Sequence, residues 1–145
     1  TLSPSSAASD VYKRQASVLQ SITDKPIIGI CLGMQLLYDW SAEGNVEGLK
    51  LFPGNIVPIE THYPVPHLGW NNLISNHPQL AQDVYFVHSY QAEMSEHVVA
   101  FAEYGDPIPA IVQYKHYIGI QFHPEKSGAD GLTILNQALK GGFLL

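Results

Sequence analysis

The segment Ile27–Ile30 constrains the fold of this 145-residue chain more than any other part of its sequence. It is apolar throughout, without alternating polar residues, and Pro26 precedes it. A proline can open a strand, and an uninterrupted apolar run is typical of a strand that helices cover on both faces of a parallel sheet. Apolar residues then return to helical spacing over Leu32–Asp39. The segment therefore predicts a buried strand, a tight turn and a helix of an α/β fold.

Short β-like runs in the middle of the chain predict further strands of a mixed sheet. Pro, Gly and Asn, which are common turn residues, separate them. Because the runs follow one another closely, we expect several to pair as antiparallel hairpins. The runs are Ile56–Ile59, Val84–Val87, His97–Ala102, Ile111–Tyr114 and Ile118–Phe122.

Two helices are predicted to flank this β-rich region. The first contains Val18, Leu19 and Ile22 at helical spacing and ends before Pro26. The second is amphipathic and is closed by two glycines, Gly141 and Gly142. Its apolar residues are Leu132, Ile134, Leu135, Ala138 and Leu139.

Composition excludes several classes of protein. With 46% hydrophobic and 14% charged residues, the chain is expected to fold around a core. Seven basic residues against thirteen acidic ones give a net charge of −6, and Arg14 is the only arginine, so no basic face is available for nucleic acid. No apolar run approaches the ~18 residues that span a bilayer, and a single cysteine forms no internal disulfide. We expect a cytoplasmic protein without nucleic-acid or membrane partners.

The first fifteen residues are predicted to lie outside the folded domain. Thr1–Asp10 consists mostly of Ser, Ala and Thr, and Val11–Gln15 does not continue into the periodic pattern that follows. The stretch Ser5–Gln15 resembles translated sequencing-adapter sequence, and no methionine precedes it. We therefore expect residues 1–15 to be a non-native or disordered tail and residues 16–145 to form one partial domain.

Cys31, the only cysteine, lies at the predicted junction between strand and helix. Gly29 and Gly33 flank it at the spacing of a nucleophile elbow in which Cys replaces Ser, and we expect side chains at both glycine positions to collide in such a turn. The helix N-terminus is expected to lower the pKa of the thiol, and the Leu32 N–H is expected to donate to an oxyanion. A buried structural cysteine is the alternative interpretation.

The tripeptide His123-Pro124-Glu125 directly follows the predicted strand Ile118–Phe122. Carboxyl ends of parallel strands meet at one sheet edge, so we expect His123 to lie near Cys31. In an extended tripeptide, residues 123 and 125 project to the same side. Glu125 can then accept a hydrogen bond from one ring nitrogen while the other faces the thiol. The pattern predicts nucleophilic catalysis by Cys, His and Glu, and a surface turn is the alternative for the tripeptide alone.

No metal site or cofactor is predicted. The single cysteine and scattered histidines lack the two-ligand helical spacing of metalloenzymes, and no glycine-rich phosphate loop is present. Four histidines in loop-like or edge positions are interpreted as solvated side chains without a role. They are His62, His77, His97 and His116.

Gly29–Leu37 and Gly119–Ser127 resemble the two signatures of class I glutamine amidotransferases, in the same order and at a matching separation. Within that class, Pro66–Asn71 and Tyr85–Tyr90 are similar to segments of the glutaminase subunits of imidazole glycerol phosphate synthase. The resemblance covers essentially residues 16–145. It implies a flavodoxin-like three-layer α/β domain with a mixed sheet, and a role in histidine biosynthesis.

This resemblance also implies roles for individual residues. Cys31 would attack the side-chain amide of glutamine, His123 would protonate the departing ammonia, and Glu125 would orient His123. Water would then release glutamate. Five residues match substrate-binding positions of the family, and among them Glu43 would pair with the α-amino group. They are Gln35, Glu43, His88, Ser89 and Tyr90. Residues that match positions near a subunit interface are His67, Trp70, Asn71 and Lys126.

The implied partner is a cyclase of (β/α)8-barrel type in a heterodimer. It would add the ammonia to a phosphorylated ribulosyl substrate and yield imidazole glycerol phosphate and an aminoimidazole carboxamide ribotide. One departure stands out, because family members carry strand and helix units before the cysteine, including a glycine-containing loop with a second oxyanion donor. No glycine occurs between Thr1 and Ile28. We therefore expect that the N-terminal strands are missing and that this chain alone is inactive.

Three other functions remain open at this point. The first is the glutaminase of another class I amidotransferase, such as those of pyridoxal phosphate, anthranilate or guanylate synthesis, and the segment around Trp70 argues against it. The second is an inactive scaffold, which the presence of all three predicted catalytic residues disfavours. The third is a cysteine hydrolase with a different substrate, which Gln35 and Glu43 disfavour.

Overall fold

The computed structural model describes residue 14 and residues 17–143 of the chain. Apart from Arg14, the predicted tail of residues 1–15 lies outside the described residues, so this domain boundary stays a prediction. In the part of the chain that the structure describes, no helix has the length and apolar character needed to cross a membrane.

A five-stranded mixed sheet forms the centre of the fold. Its order is β1 (Ile27–Ile30), β11 (Tyr117–Ile120), β10 (Asp106–Tyr114), β9 (Val98–Tyr104) and β6 (Ile74–Ser75). β1 pairs with β11 in parallel, so that Ile30 lies opposite Ile120, and the other neighbours are antiparallel. The hairpins β9–β10 and β10–β11 confirm the predicted antiparallel pairing.

Two smaller β-structures contain further strands. A four-stranded sheet has the order β3 (Val46–Glu47), β2 (Tyr38–Ser41), β4 (Phe52–Pro58) and β8 (Tyr90–Ala92). An antiparallel ribbon, called the β5–β7 ribbon below, consists of β5 (His67–Asn72) and β7 (Asp83–His88). Each of the five predicted β-like runs overlaps one of these strands. Sequence patterns missed β2, β3, β5, β6 and β8, which are short or carry polar residues on both faces.

Helix α1 (Leu32–Leu36) is shorter than the predicted helix over Leu32–Asp39. The chain leaves the helix at Leu37 because Tyr38 begins β2 and pairs in parallel with Phe52 of β4. The ring of Tyr38 is buried and lies 5.2 Å from the ring of Phe52, centroid to centroid. Burial of this aromatic side chain in a sheet outweighs the local helical spacing.

Helix α2 (Gly128–Leu139) confirms the predicted C-terminal helix but not its buried face. Leu132 and Leu139 are 57% and 60% exposed, whereas Gly131, Ile134 and Ala138 are buried. A Cβ atom at Gly131 would lie 2.4 Å from the Pro124 carbonyl oxygen. The small-residue face therefore packs inward because the helix approaches a neighbouring backbone too closely for larger side chains.

Short 3-10 turns span Pro78–Leu80 and Pro124–Lys126, and residues 17–21 are helical. These elements surround a core that covers both faces of the central sheet, as the apolar runs predict. One apolar cluster contains Ile118 and Ile120 together with residues of α2, and the other contains Tyr117 together with residues of α1 and β4.

β1 is less buried than its sequence predicts. Among the described residues it lies at one edge of the central sheet, with β11 as its neighbour. Gly29 is buried, but Ile27, Ile28 and Ile30 are only half-buried. The prediction of a fully buried strand is therefore wrong for these isoleucines, because only one flank of the strand is paired in this part of the structure.

Candidate active site

Cys31 occupies a sharp turn between β1 and α1, as predicted. Its φ is 54° and its ψ is −111°, a combination that non-glycine residues rarely adopt and that marks strained backbone at functional sites. The Cys31 N–H donates to the Ile120 carbonyl oxygen of β11 at 2.7 Å. The strained residue is thus held by the end of the neighbouring parallel strand.

The two flanking glycines differ in what they permit. A Cβ atom at Gly29 would lie 2.5 Å from the Gly33 carbonyl oxygen, which is too close for any side chain. A Cβ atom at Gly33 would meet nothing within 4 Å. The expectation of a collision at both positions is therefore confirmed for Gly29 and wrong for Gly33. Glycine is required at position 29 because the backbone of Gly33 lies so close to it.

The predicted lowering of the Cys31 pKa is wrong. Burial raises the pKa of the thiol, and the negative charges of Glu125 and Glu43 raise it further. The Leu32 N–H and the charge of Lys126 act in the opposite direction and are outweighed. α1 has only five residues, so its N-terminus compensates little for the loss of hydration. A thiol in this environment needs a base to become a nucleophile.

His123 and Glu125 have the mutual geometry that the sequence predicts. His123 Nδ1 lies 2.7 Å from Glu125 Oε1, so the carboxylate accepts the Nδ1 proton and Nε2 is the nitrogen available for proton transfer. Burial acts to raise the pKa of Glu125, but hydrogen bonds from its own backbone N–H and from His123, with the charges of His123 and Lys126, lower it overall. The carboxyl group is therefore ionised at neutral pH.

Ser127 anchors the segment that carries His123, a role that was not predicted from the sequence. Its Oγ donates to the His123 carbonyl oxygen at 2.6 Å and accepts from the Tyr85 N–H at 2.9 Å. The His123 N–H in turn donates to the Tyr85 carbonyl oxygen at 3.0 Å. A serine just before a predicted helix could have drawn attention as an N-cap, although here its hydroxyl binds a loop and a strand instead.

Gln35 and Tyr90 lie together on the Cys31 side of the fold. Gln35 is buried, and its Nε2 donates to the Tyr90 carbonyl oxygen and to Gln121 Oε1, both at 3.0 Å. Gln121 Nε2 and the Val87 carbonyl oxygen each lie 3.9 Å from Cys31 Sγ. The role of Gln121, a buried polar residue after β11, was not predicted, and its place beside the His123 motif is the signal that could have found it.

The other predicted substrate-binding residues differ in exposure. Glu43 is exposed in the turn between β2 and β3, and its charge acts on the thiol of Cys31. The Ser89 carbonyl oxygen accepts from the Ile59 N–H at 3.0 Å. His88 is buried, and protein atoms engage both of its ring nitrogens. A substrate contact at His88 would therefore come from its backbone.

The residues predicted near an interface are divided between surface and interior. Trp70 is 59% exposed and Lys126 is exposed, and the Trp70 ring packs edge-on against Tyr85 at 6.0 Å between centroids. Asn71 is half-buried and donates to the Glu103 carbonyl oxygen at 2.9 Å. His67 is only 2% exposed. The structure places His67 beneath the exposed face of β5 and not on it.

The four histidines interpreted as solvated are not alike. His62 is exposed, whereas His77, His97 and His116 are half-buried. His116 packs on the ring of Tyr117 at 4.2 Å in the tight turn between β10 and β11, and its Nε2 is buried, so the expectation of a solvated ring is wrong there. Within the described ranges, no group of three or more His, Cys, Asp or Glu side chains is arranged to hold a metal ion.

Comparison with known families agrees with this arrangement. The family model described as glutamine amidotransferase class-I matches residues 2–140. The chain belongs to this family. Its mixed central sheet agrees with the class I glutamine amidotransferase fold. The predicted α/β class is therefore confirmed.

Several curated relatives of this chain come from staphylococci and carry the name imidazole glycerol phosphate synthase subunit HisH. The protein of Staphylococcus saprophyticus is 78% identical over 128 residues, which cover 88% of this chain and 65% of the relative. One from Staphylococcus epidermidis is 72% identical over 127 residues, which cover 88% of this chain and 66% of the relative. The chain thus spans just under two thirds of the length of these relatives.

Two solved structures share the fold of this chain. One, titled as a glutamine amidotransferase, has a TM-score of 0.62 and 19% identity, covering 92% of this chain and 67% of its own. A glutamine amidotransferase from Thermotoga maritima has a TM-score of 0.53 and 20% identity, and the match covers 88% of this chain and 53% of that structure. At these identities the likeness establishes the architecture alone.

Proposed function

We propose that this chain is the glutaminase part of an imidazole glycerol phosphate synthase, hydrolysing glutamine to glutamate and ammonia. The observation that carries the proposal is the strained Cys31 at the end of β1, beside a parallel strand whose continuation holds a hydrogen-bonded His123 and Glu125. The identity to staphylococcal relatives of that name supports the choice of this enzyme over other members of the family.

The first half of the reaction forms a thioester. His123 Nε2 takes the proton of the Cys31 thiol, which the raised pKa keeps protonated at neutral pH, and the sulfur attacks the amide carbon of the glutamine side chain. The Leu32 N–H stabilises the resulting oxyanion. As the intermediate collapses, the carbon–nitrogen bond breaks and His123 gives its proton to the leaving ammonia.

The second half releases glutamate. His123 Nε2 accepts a proton from water, whose oxygen attacks the thioester carbon, and the carbon–sulfur bond breaks as Cys31 regains a proton. Throughout both steps Glu125 Oε1, 2.7 Å away, accepts a hydrogen bond from the His123 Nδ1–H and stabilises the ring when it is charged. Around the substrate, the exposed carboxylate of Glu43 is suited to the α-amino group, and the bonded pair Gln35 and Tyr90, with Ser89 beside it in sequence, would contact the rest of the glutamine.

The proposed destination of the ammonia is a cyclase of (β/α)8-barrel type, bound as a heterodimer in the cytoplasm. Leu68 and Trp70 of β5 are 61% and 59% exposed, and large apolar side chains that neighbour each other on a surface favour a protein partner. In that complex the ammonia would be incorporated into imidazole glycerol phosphate, with release of an aminoimidazole carboxamide ribotide. We expect native mass spectrometry to show a one-to-one complex with the cyclase. The fraction of chain in this complex should fall in a Trp70→Ala variant.

The glutaminase proposal is tested by labelling with a diazo-ketone analogue of glutamine. We expect the reagent to modify Cys31, glutamine to protect it, and Cys31→Ser to abolish the modification. Peptide mass spectrometry locates the label, and the Staphylococcus saprophyticus relative serves as a positive control. The label requires only attack by the thiol and not full turnover, so we expect it even though this chain alone is predicted to be inactive. Labelling at another residue, or no labelling in this chain while the relative reacts, would contradict the proposal.

A further inference from the structure

Two buried histidines face each other in the β5–β7 ribbon. His67 and His88 are cross-strand partners, are 2% and 7% exposed, and lie 2.9 Å apart between Nδ1 and Nε2. The His67 ring also stacks on Phe86 at 4.5 Å and packs against Tyr104 at 4.1 Å, centroid to centroid. Aromatic contacts on both sides hold the ring in one orientation.

The hydrogen-bond partners determine which nitrogen of each ring carries the proton. His88 Nδ1 lies 2.8 Å from the Tyr90 carbonyl oxygen, which only accepts, so Nδ1 must donate. In a neutral ring, His88 Nε2 then accepts, and His67 Nδ1 must be the donor in the bond between the rings. His67 Nε2 is left as an acceptor. Both rings therefore have the Nδ1–H tautomer.

Asn71 supplies the donor that this pattern requires. Its Nδ2 lies 3.2 Å from His67 Nε2 and 2.9 Å from the Glu103 carbonyl oxygen, so the two amide hydrogens reach two acceptors. The Asn71 Oδ1 accepts from the Asn72 N–H at 2.8 Å, which defines the orientation of the amide group. Donation thus runs in one direction, from Asn71 through His67 and His88 to Tyr90.

Both rings stay neutral under ordinary conditions. Burial lowers the pKa of His67 to about 4, and His88 contributes to this shift. Burial likewise lowers the pKa of His88 to about 4, where the bond to Tyr90 acts in the opposite direction and the charge of His123 adds to the lowering. At neutral pH the direction of donation is therefore stable.

The two ends of this hydrogen-bond chain lie in different functional regions. At one end, the Tyr90 carbonyl oxygen also accepts from Gln35 Nε2, which contacts Gln121, whose own amide lies 3.9 Å from Cys31 Sγ. At the other end, Asn71 follows the exposed Trp70 on β5. A continuous series of polar contacts thus joins the exposed strand to the side chains around the thiol.

We propose that Asn71, His67 and His88 are positioning residues whose one-directional hydrogen-bond chain holds the Tyr90 carbonyl group and, through it, Gln35 and Gln121 beside Cys31. A displacement of β5, such as one caused by a partner bound at Trp70, would then reach the glutamine site through this chain. The link to glutamine rests on the proposed function, whereas the hydrogen-bond chain itself does not.

The first experiment measures histidine tautomers in the 145-residue chain by long-range nitrogen–proton NMR at pH 7. We expect neutral Nδ1–H rings for both His67 and His88, assigned by loss of each signal in single substitutions. An Nε2–H tautomer or a charged ring at either position would overturn the proposal. This result requires no catalytic activity.

The second experiment follows the side-chain amide signal of Gln35. Asn71→Ala and, as a milder change, Asn71→Ser should shift this signal, because the donor to His67 is lost or weakened. Asn72→Ala is the matched control, since Asn72 is the next residue of β5 and bonds outward to Asp83 at 3.1 Å. No shift in the Asn71 variants, or an equal shift in the control, would contradict coupling along the chain.

The third experiment links the chain to glutamine recognition. His88→Leu removes the donor to Tyr90, whereas His88→Asn keeps an N–H group near the same place. We expect His88→Leu to raise the concentration of the diazo-ketone analogue for half-maximal labelling about tenfold, with His88→Asn recovering most of the loss.

A small electrophile without a glutamine moiety, iodoacetamide, is the control for the third experiment. It should modify Cys31 at rates within about twofold in both variants, because the charged groups that act on the thiol, Glu125, Glu43 and Lys126, are not substituted and the reagent needs no bound glutamine moiety. If labelling by the diazo-ketone analogue weakens equally in His88→Leu and His88→Asn, or weakens in neither, the link between the hydrogen-bond chain and glutamine recognition would be overturned. If the analogue never labels the parent chain, the proposed function fails, while the tautomer experiment still decides the hydrogen-bond chain.

Discussion

His123 and the His67–His88 pair show two different uses of histidine in one molecule. The side chain of His123 is 21% exposed, lies beyond the carboxyl end of β11 and donates to a carboxylate. His67 and His88 are buried, donate to neutral acceptors and have pKa values of about 4. A ring with a carboxylate partner can accept a proton at little cost, whereas a buried pair without one resists protonation. The first arrangement is suited to proton transfer, and the second to holding a fixed hydrogen-bond direction.

Replacing His123 should therefore have the largest effect on turnover. We expect His123→Ala to lower glutaminase turnover about 10²- to 10⁴-fold, because general acid–base transfer is lost. Since this chain alone is predicted to be inactive, turnover is measured after fusing residues 16–145 to the part of the Staphylococcus saprophyticus relative that the chain does not span. The free energy of unfolding should change by no more than ~1 kcal/mol, because the partner carboxylate is exposed. Glutamate release and urea unfolding measure the two effects. Near-native turnover would remove His123 from the mechanism and end its contrast with the buried pair.

Protonation of the buried His67–His88 pair should change the stability of the fold and not the turnover. In the unfolded chain a histidine binds a proton below pH ~6.5, but the native rings do so only near pH 4, so the unfolded state binds more protons between these values. The free energy of unfolding should fall as the pH falls through this window, by ~3 kcal/mol for one such ring.

Urea unfolding at pH 7 and pH 4.5 measures this loss. The variant His67→Phe keeps an aromatic ring but removes one titrating group, so it should show a smaller fall between the two pH values. The variant His62→Gln, at an exposed histidine, should match the parent chain. If all three proteins lose the same stability, the buried pair is not the cause.

The smallest expected effect concerns the anchoring of the segment that carries His123. Ser127→Ala removes the bonds to the His123 carbonyl oxygen and the Tyr85 N–H, and a buried donor without a partner costs ~1–3 kcal/mol. Thermal unfolding should show this loss. Ser95→Ala, which removes an exposed bond to the His97 N–H, is the control and should cost less. Unchanged tautomers at His67 and His88 would show that the two histidine sites are independently supported.

Much of the candidate site could be predicted because its parts are local in sequence. The turn at Cys31 follows from Gly29, whose missing side chain allows close approach of the Gly33 carbonyl oxygen. The contact between His123 and Glu125 follows from two-residue spacing across a proline. Neither feature needs distant residues, so short-range stereochemistry is sufficient to predict both.

The burial of the thiol and the face of α2 could not be predicted in this way. The raised pKa of Cys31 depends on the surrounding protein and on the charges of Glu125 and Glu43, which are distant in sequence. The outward direction of Leu132 and Leu139 depends on the close approach between Gly131 and the Pro124 backbone. Local spacing identifies a helix but not which of its two apolar stripes faces the core.

The sequence by itself determined the α/β class, the strained nucleophile turn and the adjacent histidine and glutamate, because backbone geometry and near-neighbour spacing specify them. Only the tertiary structure decided that His67 meets His88 and that Asn71 donates to this pair. The physical reason is register: cross-strand pairing in the β5–β7 ribbon joins residues 21 positions apart, and a shift of one residue would turn these side chains to the other face.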